Sequence, residues 1–189
     1  MSVISVIAGL LFIAGFIPYI YAILKGKAKP VKATWIIWAI IDVITFLGMY
    51  HENALNGQIT GAVAGAGIVT LLSFKYGLPG WSKIDKFCLI GAIIAITLWI
   101  VFDNPVLGII TSCSAGFIGS IPTFVSAWEN PDRESKAGWT LFWLSCVFAM
   151  IAIPEWTLAD ATAPITFSLA ETIMMYILFI RPFFLKKGN

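Results

Sequence analysis

The sequence predicts an all-α integral membrane protein of seven transmembrane helices in a 3-1-3 arrangement. Three observations carry that expectation. Apolar residues make up 59% of the chain and charged residues 12%, whereas ordinary soluble domains are roughly a quarter charged. All 12 lysines and arginines fall in alternate segments between the apolar runs. Two stretches also repeat at a constant offset of 104 positions.

The elements follow in order. A helix needs about 20 mostly apolar residues to cross the hydrocarbon of a bilayer. The runs that qualify are 3–24, 33–50, 58–76, 86–102, 105–127, 138–154 and 162–180. They are too long for barrel strands, and lipid offers the backbone no partner, so each is a helix. The first run exceeds a signal-peptide core, has no basic residue ahead of it and carries four lysines behind it. It is expected to remain as a span.

The loops set the expected orientation. Lys25, Lys27, Lys29 and Lys32 follow the first run, and Lys75, Lys83 and Lys86 follow the third. Arg133 and Lys136 follow the fifth; Arg181, Lys186 and Lys187 follow the seventh. The intervening segments hold His51, Glu52, Asp103 and the Glu155–Asp160 stretch, with no Lys or Arg. The positive-inside rule then puts the N-terminus outside and the C-terminus inside.

The repeat explains the odd number of spans. Residues 14–38 read AGFIPYIYAILKGKAKPVKATWIIW and residues 118–142 read IGSIPTFVSAWENPDRESKAGWTLF. The offset superimposes Gly15 on Gly119, Ile17 on Ile121, Pro18 on Pro122, Lys32 on Lys136, Ala33 on Ala137 and Trp35 on Trp139, and Lys29 falls on Arg133. Two three-helix units in direct tandem would point in opposite directions. The run 86–102 restores a common direction, giving parallel repeats. The expected regions are a first unit at 1–80, a connecting helix at 81–104 and a second unit at 105–189.

Ile-Pro near the end of a first helix, a short basic loop and a Trp opening the second helix resemble the PQ-loop pattern. That pattern typifies the superfamily of SWEET and semiSWEET sugar transporters and lysosomal amino-acid exporters. Nicotinamide-riboside carriers and the KDEL receptor are similar in architecture. The chain departs from the pattern where Tyr19 and Thr123 replace the glutamine. It also lacks the prolines that SWEETs carry in the second helix of each unit. The resemblance implies a secondary carrier or facilitator of a small polar solute, with Pro18 and Pro122 as hinges. The other reading is a non-transporting receptor or scaffold on the same fold, as the KDEL receptor is.

Asp42 and Glu171 are the sharpest residues. Of the ten acids, these two alone fall in the middle of spans. A charge at that depth costs roughly 2.5–3.5 kcal/mol and defaults to a functional role. Trp35, Trp38, Asp42, Thr45 and Met49 share one helix face by spacing. Pro164, Ser168, Glu171 and Met175 share another. The offset maps Asp42 onto Cys146 and Glu171 onto Gly67, so both acids break the internal symmetry. That suits an asymmetric or cationic solute, or a proton. Trp38 and Trp143 are expected to bracket the solute. The expected site lies between the units, lined by the spans 33–50, 58–76, 138–154 and 162–180. Trp35, Trp81, Trp128, Trp139 and Trp156 read as interfacial belt residues.

The remaining features read as structural. GAVAGAG at residues 61–67 lets the third helix pack closely. Cys88, Cys113 and Cys146 lie singly in apolar runs, and His51 reads as a loop residue. No Walker loop, nucleophile–His pair, metal cluster or haem ligand set is present. The expectation is therefore no enzyme, no cofactor and no metal. Expected partners are a small-molecule solute and the lipid bilayer, with a possible homo-oligomer and no nucleic acid. The plasma (inner) membrane is the expected location.

Overall fold

Helices form where the apolar runs fall, and polar caps set most of their starts. The structure is a computed structural model. It describes residues 1–78, 81 and 83–182, without the side chains of residues 84, 88 and 95. Lys186, Lys187 and the Cys88 thiol therefore lie outside the described residues. Helix α1 spans Val3–Leu24, α2 Lys32–His51, α3 Gly57–Tyr76 and α4 Lys83–Phe102. The remaining α-helices are α5 Pro105–Gly119, α6 Ile121–Glu129, α7 Lys136–Ile151 and α8 Leu158–Met175. A 3-10 turn covers Pro131–Arg133, and a π-helical turn, Tyr176–Ile180, extends α8.

The caps are side-chain oxygens that accept from first-turn N–H groups. Ser2, Asn56, Asn104, Ser135 and Thr157 do so for α1, α3, α5, α7 and α8. Gly26 turns the chain after α1 with φ 69°, a left-handed conformation that glycine adopts without strain.

Six helical stretches are long and apolar enough to cross a membrane: α1, α2, α3, α4, the α5–α6 pair and α8 with its π turn. Helix α7 is apolar but has 16 residues, about 24 Å of rise. These are the helices of a multi-pass membrane protein. Among the described residues there is no strand, only an isolated bridge between Val31 and Leu78.

Three expectations need correction. The run 105–127 is not one helix. It breaks at Ser120, where the backbone N–H bonds back to Phe117 and Pro122 follows without an N–H to give. The run 138–154 stops at Ile151, before Pro154. His51 is not in a loop; it closes α2 and meets Trp99 ring to ring at 5.4 Å.

Helix packing follows a pattern. Helix α3 lies against both α1 and α2, and α8 lies against both α5 and α7. Across the middle, α1 packs on α7 and α2 on α5. Small residues make these approaches close. A Cβ on Gly61 would come within 2.9 Å of the Gly9 carbonyl, and one on Gly65 would enter the Phe16 ring. The Ser145 hydroxyl donates to the Ala8 carbonyl at 2.7 Å, tying α7 to α1. Thr45 and Ser112 share a hydrogen bond of 2.7 Å, tying α2 to α5. Helix α4 sits on α5 and α2 and leaves most of its apolar surface uncovered.

The loops gather at two ends. The Lys29 N–H donates to the Arg133 carbonyl at 2.9 Å and the Leu78 N–H to the Pro30 carbonyl at 2.8 Å. These bonds bring the segments after α1, α3 and α6 together at a basic end. At the other end the N-terminus lies beside residues 53–56 and 152–154.

Candidate functional site

The middle of the bundle holds a cavity of about 70 Å³, room for a few water molecules. Its walls come from α1, α2, α3, α5, α7 and α8. The expected lining helices, α2, α3, α7 and α8, are therefore joined by α1 and α5. Phe12 and Phe16 enter from α1 because their helix faces both α3 and α7. Cys113, Gly116 and Phe117 enter from α5.

Asp42 and Glu171 both line this cavity. They are 7% and 6% exposed. Asp42 lies ten residues from the start of α2, and Glu171 lies ten residues before Arg181. Each is thus about 15 Å along its helix from the basic end. Glu171 Oε2 is buried without a hydrogen-bond partner, as is the nearby Ser168 hydroxyl. Among the described residues no Lys, Arg or His lines the cavity.

The α2 face predicted by spacing is the face that lines the cavity: Trp35, Trp38, Asp42 and Thr45 all contribute. On α8 the lining is Thr166, Phe167, Ala170 and Glu171. Pro164, Ser168 and Met175 do not contribute to it.

The tryptophans divide differently from expectation. Trp38 lines the cavity, and its Nε1–H donates to the Gly116 carbonyl at 3.3 Å. The same carbonyl accepts from the Ser120 hydroxyl at 3.0 Å, while the Ser120 N–H bonds to Phe117. Trp143 lies outside the cavity, between α7 and α8, with its Nε1–H on the Thr172 hydroxyl at 3.2 Å. Trp35 and Trp139 are not belt residues. They are 3% and 2% exposed and line the cavity, because the α1–α7 and α2–α5 contacts turn both inward. Trp81, Trp128 and Trp156 are exposed. Trp128 stacks under the Arg181 guanidinium at 4.0 Å.

Pro18 and Pro122 also differ. Pro18 sits inside the unbroken α1. Pro122 opens α6 directly after the break. The helix is interrupted beside the proline in the second copy and continuous through it in the first.

Sequence reasoning missed Glu134. It lies in the segment between α6 and α7, yet it is 6% exposed. Its Oε2 accepts from the Tyr19 hydroxyl at 3.0 Å and from the Trp139 indole N–H at 2.8 Å. Its Oε1 is buried without a partner. Burial pushes the carboxyl up to about 7, and the bonds from Trp139 and Tyr19 pull the other way. The usable signal was Tyr19, which replaces the glutamine of the PQ pattern. A buried phenol needs an acceptor, and an acid in a polar loop reads as solvated until the loop is docked.

Among the described residues, no three His, Cys, Asp or Glu side chains converge on a metal-sized site. No known family model matches the chain, and neither a curated protein nor a solved structure does.

Proposed function

We propose that the chain is a secondary carrier or facilitator for a small polar solute, and that the solute carries or accompanies a positive charge. One observation carries the reading: Asp42 and Glu171 converge, from α2 and α8, on one buried cavity without a basic side chain in its lining. Two carboxyls in apolar surroundings are costly unless a cation, a proton or polar groups of a ligand compensate them. Aromatic walls from Trp35, Trp38, Trp139 and Phe142 suit a small ligand held away from bulk water.

The reading uses a PQ-loop-like, SWEET-like scaffold of two parallel three-helix units with α4 between them. Two sets of contacts support it. The helix pairs α1–α7 and α2–α5 exchange under the repeat offset. The Trp38–Gly116 bond also maps onto Phe142–Phe12, whose rings are 4.8 Å apart. In this reading the basic end faces the cytoplasm and the N-terminus faces outward. The cavity lies at mid-depth between the units, where alternating access would operate.

The test is flux in proteoliposomes. Purified protein is assayed against labelled amines, amino acids, sugars and nucleosides, with and without a pH gradient. The expected result is uptake of at least one polar solute, reduced tenfold or more in Glu171→Gln and Asp42→Asn. Absence of flux for every solute with folded protein, or flux indifferent to both variants, would overturn it.

A further inference from the structure

We propose that Glu134 is a proton-binding latch that closes the basic end of the cavity by bridging Tyr19 of α1 to Trp139 of α7. The proposal deepens the carrier reading and rests on it, since it assigns a control point to the same cavity.

The geometry has three parts. First, Trp139 lines the cavity, and Tyr19 packs directly behind the cavity wall. Tyr19 lies 5.3 Å from the Trp35 ring and 6.4 Å from the Trp139 ring. The two groups that hold Glu134 therefore stand at and directly behind the cavity wall on the side of the basic end.

Second, the latch joins elements that belong to different repeats. Helix α1 meets α7 with little room: a Cβ on Gly138 would come within 3.0 Å of the Gly15 carbonyl. The Lys29-to-Arg133 backbone bond fixes the neighbouring loop residue. Separating α1 from α7 at this end requires breaking the Glu134 bonds.

Third, the carboxyl is half-satisfied. Oε2 accepts twice, while Oε1 is buried with no partner. A proton on Oε1 leaves Oε2 as a carbonyl oxygen that keeps both bonds. Removing that proton leaves a buried charge without a counter-ion. Among the described residues no Lys, Arg or His forms an ion pair with Glu134, and Arg133 is paired with Glu129 at 3.5 Å. The titratable groups facing Glu134 are Tyr19 on α1 and, within electrostatic range, Glu171 on α8.

The sign follows from linkage. The carboxyl titrates near 7 when closed in, against 4.5 for an ordinary wetted glutamate. Protonation therefore favours the closed end, and loss of the proton favours opening. Those two values cap the change in the opening equilibrium at about 300-fold.

Cys113 lines the cavity and reports on access. In the full chain with Cys88→Ser and Cys146→Ser, a small charged methanethiosulfonate is reacted with Cys113 from pH 5.5 to 8.5. Dividing each rate by that of the Glu134→Gln version cancels the thiol's own titration. The ratio should rise tenfold or more between pH 5.5 and pH 8.5 and level off above pH 7. A ratio that stays flat overturns the latch. Tyr19→Phe keeps the ring and removes one bond, so below pH 7 it should label severalfold faster than the unsubstituted Tyr19 version. Equal rates overturn the proposal even where Glu134→Gln does not fold. The labelling needs no solute. The pH-dependent ratio without flux would uphold the latch and sink the carrier reading. Flux with a flat ratio would do the reverse.

Discussion

The Tyr19 hydroxyl donates to Glu134 Oε2 at 3.0 Å, joining residues 115 positions apart. With the Trp139 bond to the same oxygen, this places a carboxyl under the contact between α1 and α7. The energetic consequence is a pH-dependent stability whose direction is fixed. The folded-state value, about 7, lies above the ordinary 4.5. The contribution is therefore complete below about 4.5 and is lost as pH rises through about 7.

Thermal unfolding in detergent should show that loss. The melting temperature should fall between pH 5 and pH 8, corresponding to up to about 3 kcal/mol. Glu134→Gln should flatten the profile. A wild-type profile that instead rises across this window would contradict the buried, partner-poor carboxyl.

The α1–α3 contact predicts an opposite pair of glycine substitutions. A Cβ on Gly57 would run into the backbone carbonyl of Ser5, whereas one on Gly67 meets open space. Gly57→Ala should cost about 2 kcal/mol or more, because backbone cannot rotate away. Gly67→Ala should be neutral or slightly stabilising, since alanine favours helix. Paired melting curves check both.

The tryptophans offer a test of the cavity's membership. Trp139→Phe and Trp38→Phe alter its wall, and Trp38→Phe also removes one of the two hydrogen bonds that the Gly116 carbonyl accepts, the other coming from the Ser120 hydroxyl. Each should weaken binding of any transported solute at least fivefold. Trp143→Phe removes only the bond to Thr172 and should change binding less than twofold. Equilibrium binding or flux competition reads the difference.

The prolines should separate as well. Pro122→Ala restores an N–H after the Ser120 break and should stabilise a straighter α5–α6 helix. If the chain moves at that break during transport, flux should drop about tenfold while solute binding holds. Pro18→Ala, in the unbroken α1, should affect flux less. Parallel flux and binding measurements decide it.

The approximate places of the apolar helices were legible in the sequence, but not that the fifth run divides in two or that the sixth stops at Ile151. The repeat and the partition of Lys and Arg were legible too, because these depend on local composition and on spacing along one chain. The shared face of Trp35, Trp38, Asp42 and Thr45 was legible for the same reason: helical periodicity fixes which side chains stand together. Periodicity says nothing of which neighbour a face meets. Only the tertiary structure turned Trp35 and Trp139 inward, sent Trp143 between α7 and α8, and brought Asp42 and Glu171 to one cavity. Only it broke the fifth run at Ser120, where the Ser120 hydroxyl and the Trp38 indole both donate to the Gly116 carbonyl, while leaving the equivalent α1 unbroken. Glu134 marks the limit most clearly. Its burial comes from a loop docking on a helix 115 residues away, a long-range contact that no local pattern encodes.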